Sequence, residues 1–346
     1  MSYGLAEEKD RMLNTSNVTT LNPAAGFTMV TEMIRSELRE VDACFTGELA
    51  SGIPAVQNLL KYVSRFRGKM LRPVLVLLTG KAAGNLTREH IVLAAVVEMV
   101  HMATLVHDDV LDEAELRRKG ATINHLKGNE AAVMLGDLLI SHAFHLCSSL
   151  ESQSASRLIG RTTNALCEGE LLQIDQRNNL ELSEEVYFAV IARKTAALVA
   201  ASCRLGAEHA GADAGVVDAM ERYGKSVGTA FQIQDDLLDL TGDVREVGKT
   251  LGIDVEKGKM TLPLIHFLRT APKEHGELLR SLLRSTEADK GEKIRNLILP
   301  SGSLEYARKT AENLVAEARE CLKVLPASEA REALDLAARF VVQRAV

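Results

Sequence analysis

Two acidic runs with the same spacing interrupt segments that are otherwise apolar: Asp108 to Asp112 and Asp235 to Asp239. In each run the first, second and fifth residues are aspartate. Residues i and i+4 share one face of a helix, so the outer two aspartates of each run point the same way. Like charges about 4 Å apart repel by about 1 kcal/mol in water and several-fold more in a sheltered site. The fold must therefore bring a cation to each run.

The chemistry of these runs suits a hard metal ion. Proteins hold Mg²⁺ with oxygen ligands, commonly a few carboxylates together with substrate phosphates. One acidic run alone is usually a solvated helix face. Here the motif is duplicated and the residues before both copies are largely apolar, which favours a metal site. We predict two facing carboxylate clusters that grip a diphosphate through several Mg²⁺ ions, for which Mn²⁺ can substitute.

The pattern of apolar residues predicts a helical fold. Aromatic residues make up only 4% of the chain, with no Trp, so aliphatic side chains must fill the core, which favours helix packed on helix. The acidic runs lie 127 residues apart (235 − 108), so they meet only if a bundle closes around a central space. We predict an all-α bundle of antiparallel helices around a large central cavity. Helical spacing covers 54–65, 72–83, 88–113, 129–150, 154–176, 184–207, 213–240 and 261–270.

No linker rich in Pro, Gly or Ser divides the chain. We expect a polar, flexible arm over residues 1–25 and one helical domain over residues 26–346. Breaks between helices are expected at 84–85, 118–128 and 242–259, where the apolar periodicity stops.

Charge and cysteine content exclude several classes of protein. A net charge of −6 gives no reason to expect a nucleic-acid partner. The five cysteines are scattered and unpaired in sequence, which fits a reduced compartment and a cytoplasmic protein. The longest apolar run, 91–106, is interrupted by Glu98 and His101, so we expect no membrane-spanning segment. A water-insoluble product would then be released peripherally to a membrane.

Basic residues are placed around the predicted metal clusters. Lys69 and Arg72 lie near a helix start, where the helix dipole also favours an anion. A cationic loop, 117–120, follows the first acidic run, and Lys194-Thr195 comes later. Two further basic segments follow the second run: Gly248-Lys249 and Lys257-Gly258-Lys259. This placement favours diphosphate binding over ordinary surface charge.

These motifs carry a family resemblance. GKMLRP (68–73), HMATLVHDDVLDEAELRR (101–118), KT (194–195), FQIQDDLLD (231–239) and GKMTLP (258–263) occur in the order found in trans-prenyltransferases. The chain resembles all-trans polyprenyl diphosphate synthases over residues 27–346. The resemblance implies an isoprenoid-synthase bundle, a homodimer, and two substrates: isopentenyl diphosphate and an allylic diphosphate such as farnesyl diphosphate. Two departures concern the loop after the first run, where Ala121 replaces a frequent proline, and Met70, which replaces a frequent basic residue.

The resemblance also implies roles for single residues. The implied metal ligands come from both runs: Asp108, Asp109, Asp112, Asp235, Asp236 and Asp239. Among these, Asp109 would bind less directly. Asp236 and Asp239 would either bind the ions themselves or contact the residues that do. Isopentenyl diphosphate would contact Lys69, Arg72, His101 and Arg118. The allylic substrate would contact Arg117, Lys194, Thr195, Gln232 and Lys249, with Lys259 nearby. His107, which points off the face of Asp108, is interpreted as structural.

The implied mechanism is ionisation, condensation and elimination. Metals and cations neutralise charge on the departing diphosphate, and water must be excluded from the allylic cation. The Gln232 amide oxygen and the Thr195 hydroxyl are expected to face that cation. No side chain stands out as a general base, so the released diphosphate takes the proton, as the resemblance implies. The residues expected to carry catalysis are Asp108, Asp112, Lys194, Thr195, Gln232 and Asp235.

Product length is predicted from Ala103 and Thr104, which lie about one turn before Asp108. A Phe or Tyr there would close the pocket early, as in short-chain members of the family. Two small residues favour a long product, hexaprenyl to decaprenyl, with octaprenyl as the central prediction. Close packing of two helices would equally explain small residues.

Three other functions stay open. A shorter-chain synthase, making geranylgeranyl or farnesyl diphosphate, would use the same motifs. A non-catalytic regulatory subunit should have lost one acidic run or the lysine and arginine of GKMLRP, and both are complete here. A terpene cyclase would need neither the second DDxxD run nor the residues for a second diphosphate.

Overall fold

The computed structural model describes residues 30–117, 120–241, 253–287 and 289–343, which are almost entirely helical. A single pair of two-residue strands, β1 (Leu116–Arg117) and β2 (Gly120–Ala121), forms an antiparallel hairpin within these residues. The α-helices are α1 Arg35–Glu48, α2 Pro54–Val63, α3 Leu71–Ala83, α4 Arg88–Leu111, α5 Ile123–Lys127, α6 Asn129–Ser148, α7 Gln153–Asp175, α8 Glu184–Ile191, α9 Ala197–His209, α10 Ala214–Thr241, α11 Ile253–Glu256, α12 Leu262–Thr270, α13 Lys273–Arg284, α14 Lys290–Ile298, α15 Ser303–Cys321 and α16 Glu329–Gln343.

The all-α prediction is confirmed, and the predicted helical segments agree with the observed ones to within a few residues. The expected break at 118–128 is not a simple loop, because it holds part of the β hairpin and the short helix α5. The predicted arm over residues 1–25 and most of the break at 242–259 lie outside the described residues. The division into an arm and one helical domain therefore stays a prediction.

Aliphatic packing places the helices that carry the acidic runs around a common neighbour. Helix α4 packs against α1, α3 and α6, and α10 packs against α15. Both α4 and α10 also contact α9. The core between them consists mainly of Leu, Val, Ile and Ala, as the low aromatic content required. The C-terminal ends of α4 and α10, where the aspartates lie, are brought to the same region of the bundle.

A π-helical turn, Ala192–Ala196, joins α8 to α9 and carries Lys194 and Thr195. Such turns widen the backbone ladder and often occur at functional sites. Two glycines let neighbouring helices approach it closely. A Cβ at Gly169 of α7 would lie 2.6 Å from the Lys194 nitrogen, and one at Gly228 of α10 would lie 2.7 Å from the Ala196 Cα.

Three of the described helical segments are long and apolar enough to cross a membrane, judged by length and composition: Arg88–Leu111, Asn129–Ser148 and Glu184–His209. The expectation that no segment resembles a spanning helix is therefore wrong by this measure. Glu98 and His101 do not lower the hydropathy of α4 below the level typical of a membrane-spanning helix. Protein covers most of the apolar window in α4, which is 78% buried, whereas the window in α6 is only 33% buried. The apolar character of α4 is thus explained by the core.

Candidate active site

The two acidic runs have the same pattern of burial. The outer aspartates, Asp108, Asp112, Asp235 and Asp239, are partly exposed. The middle aspartates, Asp109 and Asp236, are each only 5% exposed. This follows from helical geometry, since the outer residues share one face and the middle residue points to another. The outer carboxylates are therefore accessible to a ligand, and the middle ones face the protein.

Asp108 faces the π-helical turn. Its Oδ1 lies 3.9 Å from the Lys194 ammonium, which also pairs with Glu170 and donates a 2.9 Å hydrogen bond to Gln173 Oε1. Burial raises the pKa of Asp108, although Lys194 opposes this effect. Burial would lower the pKa of Lys194, but Asp108 and Glu170 raise it above its ordinary value. Lys194 is therefore held as a cation beside the first acidic run.

Asp109 anchors the hairpin that follows α4. The Arg117 Nε donates to both carboxylate oxygens at 2.9 and 3.0 Å, and an Arg117 terminal nitrogen lies 2.8 Å from Oδ1. The Asn124 side chain donates to the Asp109 backbone carbonyl at 3.1 Å. Burial raises the pKa of Asp109, and Arg117 opposes this. The prediction assigned Arg117 to the allylic diphosphate. In this structure Arg117 binds the Asp109 carboxylate instead.

Asp112 gathers three cations. Lys257 lies 3.2 Å from Oδ2, while Lys259 and Arg177 lie 3.5 and 4.0 Å from Oδ1. Burial would raise the pKa of Asp112, but Lys259 and Lys257 hold it below its ordinary value. This carboxylate is consequently ionised and close to ammonium groups that could equally bind a phosphate.

Asp236, the middle aspartate of the second acidic run, lies in a buried hydrogen-bond network. The Tyr187 hydroxyl donates to Asp236 Oδ2 at 2.6 Å, and Gln232 Nε2 donates to Oδ1 at 2.8 Å. The Thr195 hydroxyl donates to Gln232 Oε1 at 2.7 Å. Burial and the neighbouring Asp254 raise the pKa of Asp236 well above its ordinary value, while the two hydrogen bonds lower it. Asp236 is therefore held by protein donors at both oxygens.

Asp254 connects the two runs electrostatically. Its backbone N–H donates to Asp239 Oδ2 at 3.1 Å, and its carboxylate lies 3.8 Å from Lys259. Burial raises the pKa of Asp254, Lys259 lowers it, and both Asp235 and Asp112 raise it. Asp254 thus contacts Asp239 of the second run directly and reaches Asp112 of the first run through Lys259. The structure thus brings the two runs to face each other.

The donor set fits a hard cation. The partly exposed groups at the centre are carboxylates on α4 and α10 together with Asp254, all oxygen donors of the kind that Mg²⁺ prefers. Over the described ranges, no three His, Cys, Asp or Glu side chains are already gathered into a metal-binding group. The carboxylates of Asp108 and Asp112 lie instead beside lysines and an arginine. The metal prediction stays a prediction.

The residues predicted to bind isopentenyl diphosphate lie near the start of α3 and along α4. Arg72 is partly buried, and its Nε has no hydrogen-bond partner among the residues that the structure describes. Burial lowers the pKa of Arg72 to about 10, against the effect of Glu98, which is 2% exposed. Lys69 is exposed just before α3. Arg118 and Lys249 lie outside the described residues.

A partly exposed stripe runs along α4 toward the acidic run. His101, Thr104, Leu105 and Asp108 have intermediate exposure at helical spacing, while Met102, Ala103 and Val106 between them are buried. Thr104 donates its hydroxyl to the His101 carbonyl at 2.8 Å. Ala103 has no exposed surface and lies off this stripe. Of the two residues predicted to set product length, Thr104 is therefore the partly exposed one.

His107 has the structural role expected of it. Its Nε2 donates to the Val133 carbonyl at 3.1 Å and lies 3.5 Å from Asp137 Oδ1, both on α6. A Cβ at Gly136 would lie 2.1 Å from the same ring, so the imidazole packs directly on that glycine. His107 thus fixes the end of α4 to α6.

Sequence reasoning missed several residues that contact this region: Glu170, Gln173, Arg177, Tyr187, Asp254 and the pairing role of Lys257. Glu170 and Gln173 are three residues apart on α7, so both can reach Lys194. That spacing was visible in the sequence. Nothing local indicated that Tyr187 or Asp254 would meet the second run, because both contacts depend on how distant segments pack.

The family model for polyprenyl synthetase matches residues 53–298, which is more than half of the chain. The chain belongs to the polyprenyl synthetase family. It is 35% identical over 319 residues to the octaprenyl diphosphate synthase of Escherichia coli K12, covering 91% of this chain and 98% of that protein. It is 36% identical over 281 residues to a short chain isoprenyl diphosphate synthase of Methanothermobacter thermautotrophicus, covering 80% and 86%.

Solved structures agree with this assignment. A polyprenyl synthase from Caulobacter crescentus CB15, complexed with calcium and isoprenyl diphosphate, superposes with a TM-score of 0.86 at 34% identity. The match covers 92% of this polyprenyl synthetase and 98% of that chain. The chain is therefore a prenyltransferase with the isoprenoid-synthase fold, and its relatives elongate prenyl chains to different lengths.

Proposed function

We propose that this polyprenyl synthetase condenses isopentenyl diphosphate head to tail with an allylic diphosphate such as farnesyl diphosphate. The observation that carries the proposal is the pair of facing aspartate runs, with Asp254 between them and lysines from two segments beside them. Such a site neutralises a departing diphosphate from several sides. Neither a regulatory subunit nor a cyclase requires both runs and Lys69 with Arg72 to be complete.

The chain's own residues divide the work. Lys194, Lys257 and Lys259 lie where they can bind a diphosphate beside Asp108 and Asp112, so that the allylic carbon–oxygen bond breaks with its electrons leaving on the diphosphate. The double bond of isopentenyl diphosphate then attacks the allylic cation. The released diphosphate accepts the proton that leaves the new chain. Lys69 and Arg72 hold the second diphosphate at the start of α3, where the helix dipole adds to their charge.

Mg²⁺ belongs to the same proposal. Asp108, Asp112 and Asp235 would hold the ions, with Asp254 close to Asp112 and Asp235. When bound, the ions supply charge stabilisation on the diphosphate oxygens. The calcium in the related Caulobacter structure supports a divalent-cation site in this fold.

We further propose a long, octaprenyl-like product. Thr104 is small and lies on the partly exposed stripe below Asp108, which leaves room for a growing chain. The octaprenyl synthase relative supports a long product, and the short-chain relative supports the alternative of geranylgeranyl or farnesyl diphosphate.

A homodimer in the cytoplasm completes the proposal. All five cysteines are free thiols, which fits a reducing compartment. Helix α6 exposes Val133 and Met134, with 41% and 64% of their surfaces accessible, as a face covered by a second copy would. Light scattering should give a dimer mass for the wild type and a monomer for Met134→Glu; a monomeric wild type would overturn this part.

The deciding experiment is a product assay with Mg²⁺, radiolabelled isopentenyl diphosphate and farnesyl diphosphate, resolved by chain length. We expect a ladder that ends at one dominant long polyprenol and is absent from Asp108→Ala and Asp235→Ala. Asp289→Ala, which removes an exposed carboxylate paired with Lys293, is the matched control and should keep the ladder. A product stopping at geranylgeranyl would keep the reaction and overturn the length. No incorporation by folded wild-type protein would favour the regulatory subunit or the cyclase.

A further inference from the structure

Four side chains from three segments form one chain of hydrogen bonds beside the second acidic run. Tyr187 on α8 donates to Asp236 at 2.6 Å, and Gln232 donates to the other oxygen of Asp236 at 2.8 Å. Thr195 on the π-helical turn donates to Gln232 Oε1 at 2.7 Å. Tyr187 is 4% exposed and Asp236 is 5% exposed, so this end of the network is sealed from water.

The direction of each bond is set by the donors available. Both oxygens of Asp236 accept, Oδ2 from the Tyr187 hydroxyl and Oδ1 from Gln232 Nε2. The Gln232 carboxamide thus turns its NH₂ group toward Asp236, which leaves its oxygen facing Thr195. Thr195 has one hydroxyl hydrogen and donates it to that oxygen. Its hydroxyl can then offer only lone pairs to any other group.

An oxygen that offers only lone pairs is the polar group that suits a neighbouring positive charge. Thr195 directly follows Lys194, which lies 3.9 Å from Asp108, and its hydroxyl contacts Gln232, three residues before Asp235, so it lies beside the second acidic run. Without the Tyr187 hydroxyl, Asp236 loses the donor at Oδ2 and can rotate. The Gln232 amide could then flip, and the Thr195 hydrogen would no longer be committed.

We propose that Tyr187 is a positioning residue for prenyl transfer, which acts through Asp236 and Gln232 to keep the Thr195 hydroxyl an acceptor toward the allylic cation. This inference rests on the proposed function. It assigns Tyr187 a purpose beyond filling the core. Tyr223 shows the contrast, because its equally buried hydroxyl donates to the Leu334 carbonyl at 2.7 Å, a backbone group of α16.

The first test compares Tyr187→Phe with Tyr223→Phe, since each removes one buried tyrosine hydroxyl and its hydrogen bond. Tyr187→Phe should lower kcat on the order of tenfold, a typical cost of losing an outer partner in such sites, with KM for both substrates within about twofold. Tyr223→Phe should lower the melting temperature about as much as Tyr187→Phe does, but it should leave kcat unchanged. Equal kcat for the two variants would overturn the inference.

A double-variant cycle separates positioning from general loosening. If Tyr187 acts through Thr195, adding Tyr187→Phe to Thr195→Val should lower kcat by less than about twofold further, because contacts in one network do not add. A full tenfold additional loss would show that Tyr187 acts elsewhere and would overturn the inference. Should Tyr187→Phe not fold, Asp236→Asn in the same cycle carries the same test. An inactive wild type would overturn the proposed function, and this inference with it.

Discussion

The Lys257 ammonium lies 3.2 Å from Asp112 Oδ2, closer than Lys259 or Arg177 lies to the same carboxylate. Lys257 directly follows α11 and lies 145 residues further along the chain than Asp112 (257 − 112). The contact therefore ties a distant segment to the end of α4. In the proposed function, a metal ion at Asp112 and Lys257 compete for the same negative charge.

Removing this lysine should make metal binding tighter in the absence of substrate. Lys257→Met takes one repelling charge from the site, and partly exposed pairs of this kind are worth roughly 0.2–1 kcal/mol, or up to about fivefold in affinity. Mn²⁺ titration followed by electron paramagnetic resonance measures the change. Lys273→Met, which removes a 90% exposed lysine remote from the site, should leave Mn²⁺ affinity unchanged. Weaker binding by Lys257→Met would mean that Lys257 supports the metal site.

Gly169→Ala should damage both stability and activity. The new Cβ would lie 2.6 Å from the Lys194 backbone nitrogen and 2.8 Å from the Arg193 Cβ, so the π-helical turn must move. We expect a loss of roughly 1–3 kcal/mol in the free energy of unfolding. Displacing Lys194 and Thr195 should lower kcat by up to about 100-fold, because misplacement by 1 Å is that costly.

Gly160→Ala on the same helix is the matched control. Its nearest neighbour would be Phe144 Cε1 at 4.0 Å, which is ordinary contact. Alanine is favoured over glycine in helices by about 1 kcal/mol, so this variant should be slightly more stable and fully active. Urea unfolding and the prenyl transfer assay measure both quantities. Equal behaviour of the two alanine variants would rule out a close approach at Gly169.

The comparison of sequence and structure shows what each level determines. Helical periodicity was sufficient to predict the helices and the shared face of Asp108 and Asp112, because both depend on local geometry. It could not identify the partners of the middle aspartates. Arg117 binds Asp109, and Tyr187 binds Asp236. Helix packing decides these partners, and a local sequence pattern carries no information about that packing.

The π-helical turn at Ala192–Ala196 was likewise invisible in the sequence, which reads as one continuous helix over 184–207. Gly169 and Gly228 from two other helices approach the turn closely, which no local pattern reveals. Asp254 was overlooked for a similar reason. Its relation to both acidic runs appears only when α11 folds back between them. Functional positions were therefore hardest to predict where three segments meet.

Glu48 should make stability depend on pH. His142 and His145 on α6 both contact its Oε1, at 3.1 and 2.9 Å. Burial would raise the pKa of Glu48, but the hydrogen bonds from His145 and His142 hold it below its ordinary value of 4.5. A carboxyl whose pKa is lower in the folded state stabilises above the unfolded value, and this contribution is lost as pH falls through the folded value.

Glu48→Gln should therefore be less stable than the wild type at pH 7, by up to about 1 kcal/mol since His145 is largely exposed. The difference should shrink as pH falls below 4.5, the ordinary value for this carboxyl. Urea unfolding at several pH values measures it. Glu40→Gln on the same helix, which loses an exposed 3.5 Å pair with Arg88, is the control and should stay close to the wild type in stability at pH 7. A Glu48→Gln deficit that is constant with pH would contradict the assignment.

Thr104→Phe should shorten the product. Thr104 lies on the partly exposed stripe of α4, four residues before Asp108, so a phenyl ring there would occupy the space into which the chain grows. Ala103 is a poorer site for this test because it has no exposed surface, and a larger side chain there would cost roughly 1–3 kcal/mol through overpacking.

Thr104→Val keeps nearly the same volume, so it should retain the wild-type product while losing only the hydrogen bond to the His101 carbonyl. Chromatography of the dephosphorylated polyprenols gives the product lengths for all three proteins. A shortened ladder from Thr104→Phe alone would show that side-chain volume at this position limits elongation. An active Thr104→Phe variant with the wild-type product would mean that the residue is small because α4 packs closely, and that another residue closes the pocket.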